Sequence, residues 1–366
     1  MSSEERLAYL TLAQISGVGP ARLRALHDRF GSWCVALAAP AEQLGSIPGI
    51  SPAAAAAIAG ADRELGARAA AQASELGAVT LVPDDEDYPA LLRHIAHPPP
   101  LLFGAGDLAL LARPAVAIVG SRDPTAYGQR VCAELAGGLA ACGVVVVSGM
   151  ARGLDAVAHQ AALDAGGGTI GVLGNGLGVI YPAANRRLYE RVRDACLLLT
   201  EFPPGERPNA GSFPRRNRLI SGLARATVVV EASITSGALI TARFALDQGR
   251  EVLAVPGPIT AKTSGGANRL IRDGAAPVLE LEDLLHHFPE ADRSKVWLPA
   301  GEASPAGPSG RVYDALADDP QPADRLAELT LVPPGELAAL LCELELGGWV
   351  EQIPGRGFRR APALAR

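Results

Sequence analysis

A chain of 366 residues with 48% apolar content has the size for two or three domains and too much apolar surface for disorder over most of its length. Its formal net charge of −6 excludes a protein coated in positive charge, so any contact with nucleic acid requires a local basic groove. The cysteines Cys34, Cys132, Cys142, Cys196 and Cys342 form an odd, scattered set without CxxC spacing, which points to neither a disulfide framework nor a zinc site.

The residues around Met1 do not form a signal peptide, and no apolar run is long enough to cross a bilayer. A reduced cytoplasmic compartment is the expectation. Basic residues are almost all Arg, with Lys only at Lys262 and Lys295; that bias reflects genome composition and carries no functional weight.

Residues 1–78 read as short helices with two similar hairpins. Ile15-Ser16-Gly17-Val18-Gly19-Pro20 precedes one helix and Ile47-Pro48-Gly49-Ile50-Ser51-Pro52 precedes an Ala-rich one. Such turns resemble a helix-hairpin-helix module, whose backbone N–H groups face a phosphate. Arg22 and Arg24 lie just inside the helix after the first turn, whereas the second has no cation before Arg63. The first is therefore the candidate for DNA contact and the second is structural.

Between 79 and 288 the pattern alternates strand and helix. Strands are predicted at 79–82, 115–119, 144–147, 169–173, 197–200, 227–230, 251–255 and 277–279, with 83–114 as an extension leading into the sheet. Near-continuous Val/Ile/Leu strands separated by helices predict an α/β, doubly wound, mainly parallel sheet covered on both faces. Residues 289–310, rich in Pro, Gly, Ala and Ser, read as a linker. Residues 311–366 then give helices and a closing hairpin, the order of a winged helix. Its would-be recognition helix carries Glu336, Glu343 and Glu345 and no cation, so protein contact is favoured over base readout. Arg356, Arg359 and Arg360 remain as a weak wing contact.

The chemistry-bearing residues cluster in loops after the strands. The first long strand ends Gly120-Ser121-Arg122-Asp123-Pro124 with one Gly, and the next ends Ser148-Gly149 without a carboxylate. A dinucleotide site needs GxGxxG and that carboxylate, and there is no Walker A loop, so no cofactor is expected. Phosphate holding explains the loops better. Ser121, Ser148 and Ser236 offer hydroxyls, and Gly120, Gly149, Gly174, Gly176 and Gly237 allow close backbone approach. Arg122 and Arg152 add cations at the same turns.

Arg207, Arg216, Asn217, Arg218 and Arg225 fall in a stretch that lacks any carboxylate, with Phe213 among them, as in a groove that tracks phosphates and stacks a base. The bland alternative is a solvated Arg-rich helix. Asp155 and His159, four apart, are either a base held by an acid or a packed polar pair, and the second reading is favoured. Glu201 and Glu231 after strands are either acid–base groups or partners of neighbouring Arg. No Ser or Cys nucleophile accompanies them, so a non-catalytic role is expected.

The motifs GSR (120–122), SGMARGLDAVAH (148–159), TIGVLGNGLGVIYPAAN (169–185), EFPPG (201–205) and FPRRNRLISGLA (213–224) resemble the DNA processing protein A family (DprA/Smf). So do SGALITARFALDQGREVLAVPG (236–257) and GANRLIRDGA (266–275). The resemblance covers the whole sheet domain, is moderate over the winged helix and weaker over the N-terminal helices, and Met150 and Arg152 depart from the usual motif.

It implies an extended Rossmann-like domain that binds single-stranded DNA without sequence preference. It also implies a homodimer that protects incoming strands during natural transformation and helps load RecA recombinase onto strands covered by single-strand-binding protein. On this reading Arg122 is the leading phosphate ligand, Arg207, Arg216 and Arg218 line the groove, and Phe213 stacks a base. The rivals are a nucleotide glycosidase using Glu201 or Glu231, disfavoured because a PGGxGTxxE run is absent, and a duplex-binding regulator acting through the terminal modules.

Overall fold

Apolar residues on both sides of each strand dictate a sheet buried on two faces. Along β3 (Ala115–Val119), Val116 and Ile118 join one core cluster while Ala115, Ala117 and Val119 join another. β4 (Val145–Ser148) repeats the alternation, with Val146 on one face and Val145 and Val147 on the other. The computed structural model describes residues 1–295, 307–317, 319–347 and 349–360.

The sheet has nine strands. Besides β3 and β4 these are β1 (Ala78–Leu81), β2 (Leu102–Gly106), β5 (Thr169–Val172), β6 (Leu197–Thr200), β7 (Ala226–Val229), β8 (Glu251–Ala254) and β9 (Ala276–Pro277). Their order is β1-β2-β6-β5-β4-β3-β7-β8-β9. All pairs from β6 to β9 are parallel; β2 pairs antiparallel with β6 (Phe103 opposite Thr200) and with β1. The expected doubly wound, mainly parallel α/β sheet is therefore present, and the chain reverses its direction of travel between β3 and β7.

β2 lies in the segment read as an extension. Its Gly-Ala-Gly end is a poor strand former in isolation. Gly106 fits because a Cβ there would stand 2.0 Å from the Cys196 carbonyl, so close backbone approach selects the residue.

The N-terminal helices Ser3–Gln14, Pro20–Phe30, Trp33–Ala38, Ala41–Gly45, Pro52–Ala59 and Leu65–Glu75 pack on the β1 side. Arg6 joins Asp85 at 2.7 Å and donates to Thr80 O, and Tyr9 donates to Pro100 O at 2.8 Å, which fixes this unit to the sheet. Arg22 donates to Gly49 O at 2.9 Å and to Gly17 O, so its guanidinium ties the two hairpins together.

Residues 289–295, read as linker, pack on the sheet domain: Asp292 N–H donates to Cys142 O at 2.9 Å and Arg293 joins Glu282 at 2.8 Å. Of the rest of that linker, residues 296–306 lie outside the described residues, and 308–310 open the first C-terminal helix instead.

The C-terminal unit has helices Pro308–Ala315, Ala323–Thr330 and Pro334–Leu346, then β10 (Val350–Ile353) and β11 (Gly357–Arg360) as an antiparallel hairpin. Val312, Tyr313, Leu326, Leu337, Leu341 and Leu344 form its own core. Among the described residues no helix is long and apolar enough to cross a membrane.

Candidate nucleic-acid interface

After β3 the chain turns outward through Gly120-Ser121-Arg122. Leu154 N–H donates to Ser121 O at 3.0 Å and Asp123 N–H donates to the Ser121 hydroxyl at 3.1 Å, so this loop is pinned and Arg122 is left exposed. Its guanidinium stands 5.9 Å from the centre of the Phe213 ring. Phe213, in the first turn of helix Ser212–Gly222, meets Tyr181 with ring centres 5.4 Å apart and planes tilted by 34°.

Tyr181 is 51% exposed. Gly174 admits the Phe213 ring, because a Cβ there would lie 2.8 Å from it. Asn185 holds the Tyr181 loop against the loop after β4 by donating to Met150 O and Ala151 O at 3.0 and 3.1 Å.

One cation and two rings from different loops thus form a ledge at the carboxyl edge of β3, β5 and β6. A ledge of this kind offers charge to a phosphate and a π-face to a base. Further cations surround it. Arg152 is exposed and pairs with exposed Asp123 at 2.9 Å, Arg207 is exposed on the loop after β6, and Arg215 is exposed while pairing with Glu201 at 2.9 Å. The exposed Arg152–Asp123 pair contributes little, so phosphate can replace Asp123 as partner, whereas Arg215 keeps its buried partner Glu201 with 57% of its own side chain exposed.

The floor beneath the ledge is buried and polar. Arg216 is 3% exposed and donates from one guanidinium nitrogen to Gly149 O and Val172 O, clamping the ends of β4 and β5. Burial pulls its pKa down to about 10, partly offset by the neighbouring Asp155 carboxylate. Burial likewise pushes Asp155 up, partly offset by Arg216. His159 is fully buried, shares a 2.7 Å hydrogen bond with the Thr169 hydroxyl, and is driven down to about 3 by desolvation and then by Arg216. The expected pairing of Asp155 with His159 gives way to these separate partners, and the packed polar reading fits their burial.

Several expectations change. Arg216, expected to line the groove, is an internal clamp. Helix Ser212–Gly222 buries Ser212, Arg216, Leu219 and Ile220 on one face, and Arg216 falls on it. Arg218 is held by Glu201 at 2.5 Å with 13% of its side chain exposed, and burial lowers its pKa.

The Ser148 hydroxyl donates to Ile118 O at 2.7 Å and is not available to a ligand. The space that Gly149 leaves is filled by Arg216 and Asp155, that of Gly120 by Leu154, and that of Gly176 by the Pro203 carbonyl. At these positions protein atoms, not phosphate, impose the close approach.

Asn217 is half-buried on the same helix. Ser236 turns its hydroxyl to Ala238 N–H at 3.3 Å, and Gly237 is exposed after β7, on the other side of β3 from the Phe213 ledge. Glu201 orients Arg215 and Arg218, whereas Glu231 accepts from Thr125 at a helix start. Tyr181 and Arg215 are functional candidates that the sequence pattern does not single out. Their signals were an aromatic beside Pro182 in a loop that follows a Gly-rich turn, and a helical position one step outside the apolar face.

Residues 79–289 match the family described as DNA recombination-mediator protein A, and residues 298–356 match the DprA winged helix domain. The chain is similar to Protein Smf of Escherichia coli K12, 42% identical over 75% of this chain and 76% of that one. It is also similar to Protein Smf of Synechocystis, 33% identical over 98% of this chain and 100% of that one.

Among solved structures, DNA processing protein A of Streptococcus pneumoniae superposes with a TM-score of 0.67 at 34% identity, covering 78% of this chain and 98% of that one. DNA processing protein A of Helicobacter pylori, whose structure is described for its single-stranded DNA binding mode, gives 0.54 at 31% identity over 58% and 96%. The motifs of the central sheet, its strand order and the C-terminal winged helix together mean that this chain belongs to the DNA recombination-mediator protein A family (DprA/Smf).

Proposed function

We propose that this chain binds single-stranded DNA along the Arg122–Phe213–Tyr181 ledge, keeps it intact and passes it to RecA recombinase on strands covered by single-strand-binding protein. It acts in the cytoplasm, as a homodimer, in DNA uptake or recombination. The observation that carries this reading is the stack of Arg122 over Phe213 beside half-exposed Tyr181, ringed by Arg152, Arg207 and Arg215. The single-stranded DNA binding described for the Helicobacter pylori relative supports it. A non-catalytic role is supported by the engagement of Glu201 with two arginines and of Glu231 with a helix start.

The test is a salt titration of oligo-dT binding, followed by fluorescence anisotropy. If Arg122, Arg152, Arg207 and Arg215 each meet one phosphate, log affinity falls against log salt with a slope of about −3, at about −0.7 per contact. Arg122→Ala should lower that slope by about 0.7 and weaken binding, with the unfolding temperature unchanged. Equal affinity in a folded Arg122→Ala variant would overturn the assignment. RecA loading is tested separately, by RecA filament formation on oligonucleotide coated with single-strand-binding protein, with and without this chain.

A further inference from the structure

We propose that Glu231 fills, from within the chain, the phosphate seat that a doubly wound sheet presents at its switch point, and thereby excludes free nucleotide phosphates from that crevice. Strand order reverses between β3 and β7, and the helix that follows β3 is Ala126–Ala141. In open α/β sheets the crevice at such a reversal, with the N-terminus of that helix, is where phosphates are taken up.

Here the space is occupied. Glu231, just beyond β7, accepts at Oε2 from Thr125 N–H at 3.0 Å and from the Thr125 hydroxyl at 3.2 Å. Thr125 in turn accepts from Gly128 N–H at 3.1 Å as the helix cap. A Cβ on Gly128 would lie 2.0 Å from Glu231 Oε2, so the carboxylate rests directly on the first helical turn.

Glu231 is 4% exposed, and its second oxygen, Oε1, is buried without a protein partner. An unpartnered carboxylate oxygen at the positive end of a sixteen-residue helix sits where a phosphate oxygen would sit. An incoming phosphate meets both filled volume and like charge. The GSR turn packs closely against this seat: a Cβ on Gly120 would lie 3.0 Å from Glu231 O and 2.3 Å from the Leu154 side chain. Glu231 is thus a specificity-determining residue. Where the strand itself lies rests on the function proposed above; the closed seat rests on this geometry alone.

The experiment uses the full chain in the Arg122→Ala background, which removes the leading cation of the ledge; the ledge cations that remain are common to every variant compared, so their anion uptake cancels in the comparison. Calorimetry with inorganic pyrophosphate compares Arg122→Ala with Arg122→Ala/Glu231→Ala and Arg122→Ala/Glu231→Gln, each checked for folding by thermal unfolding. The alanine variant should bind pyrophosphate roughly tenfold more tightly than its parent. The glutamine variant, which keeps an acceptor for Thr125 but no charge, should show a smaller gain. Should the alanine variant not fold, the glutamine variant decides: a gain supports the closed seat and no gain overturns it. Equal pyrophosphate binding by the parent and the folded variants overturns it as well. Failure of the wild-type chain to bind oligo-dT would instead remove the proposed function and leave the pyrophosphate comparison standing.

Discussion

Single side chains divide sharply between those that face a ligand and those that hold the floor. Arg216 and Arg218 belong to the floor. Replacing Arg216 by Met leaves Asp155 buried without its countercharge and two strand-end carbonyls without donors. The expected loss is about 3–5 kcal/mol, the usual scale for breaking a buried pair. Arg218→Ala leaves Glu201 only Arg215, with an expected loss of about 2 kcal/mol. Chemical denaturation measures both, and losses confined to the surface-pair scale would contradict the clamp.

His159 supplies a pH dependence of definite sign. Its folded pKa, about 3, lies below its usual 6.5, so the unfolded chain takes up a proton that the folded chain refuses. The contribution is fully present above about pH 6.5 and is lost as pH falls toward 3, at about 1.4 kcal/mol per pH unit. Asp155, raised by burial, acts with the opposite sign between the ordinary carboxylate range and its raised value. Comparing wild type with His159→Gln from pH 6 to 4 isolates the imidazole: the variant should show the flatter acid limb, and parallel curves would contradict it.

At the scale of elements, the helix Ser212–Gly222 shows what sequence patterning reveals and what it hides. The FPRRNR run is legible as basic, yet Leu219 and Ile220 set a phase that carries Arg216 inward and leaves Arg215 outward. Counting cations without that phase assigns the wrong arginine to solvent.

The winged-helix unit points the same way. Helix Pro334–Leu346 buries Leu337, Leu341 and Leu344 and exposes Glu336, Glu343 and Glu345, so its outer face repels a DNA backbone. Ending the chain after residue 295 should leave oligo-dT affinity within about twofold and its salt slope unchanged, as read by anisotropy. A collapse of either would assign DNA contact to this unit.

At the scale of the whole molecule, large aliphatic side chains stand exposed in several places, Leu246, Leu331 and Leu346 among them. Ile234 is 66% exposed, Ile259 94% and Leu279 75%, on segments that follow β7, β8 and β9 at one side of the sheet. Exposed large aliphatics on neighbouring loops favour association, and a second copy of the chain is the proposed occupant. Sedimentation equilibrium should give a dimer for the wild type and a shift toward monomer for Ile259→Arg, with the unfolding profile of each protomer preserved. A wild type that sediments as a monomer at micromolar concentration would remove the homodimer from the proposal.

Much of this architecture is written in local sequence. β-branched runs that are apolar at every position specify strands buried on both faces, and helices between them force parallel pairing. The loop chemistry, GSR, SGMARG and FPRRNR, is legible as well, because small and cationic residues interrupt those runs at the strand ends. What local patterning does not carry is which neighbour each polar group meets. β2, with its Gly-Ala-Gly end, becomes a strand only because β6 and β1 flank it. Tyr181 joins Phe213 across 32 positions of sequence. Glu231 reaches Thr125 across 106 residues. Strand propensity and apolar period are properties of adjacent residues, whereas partnership and burial arise only when the sheet brings distant loops to one edge.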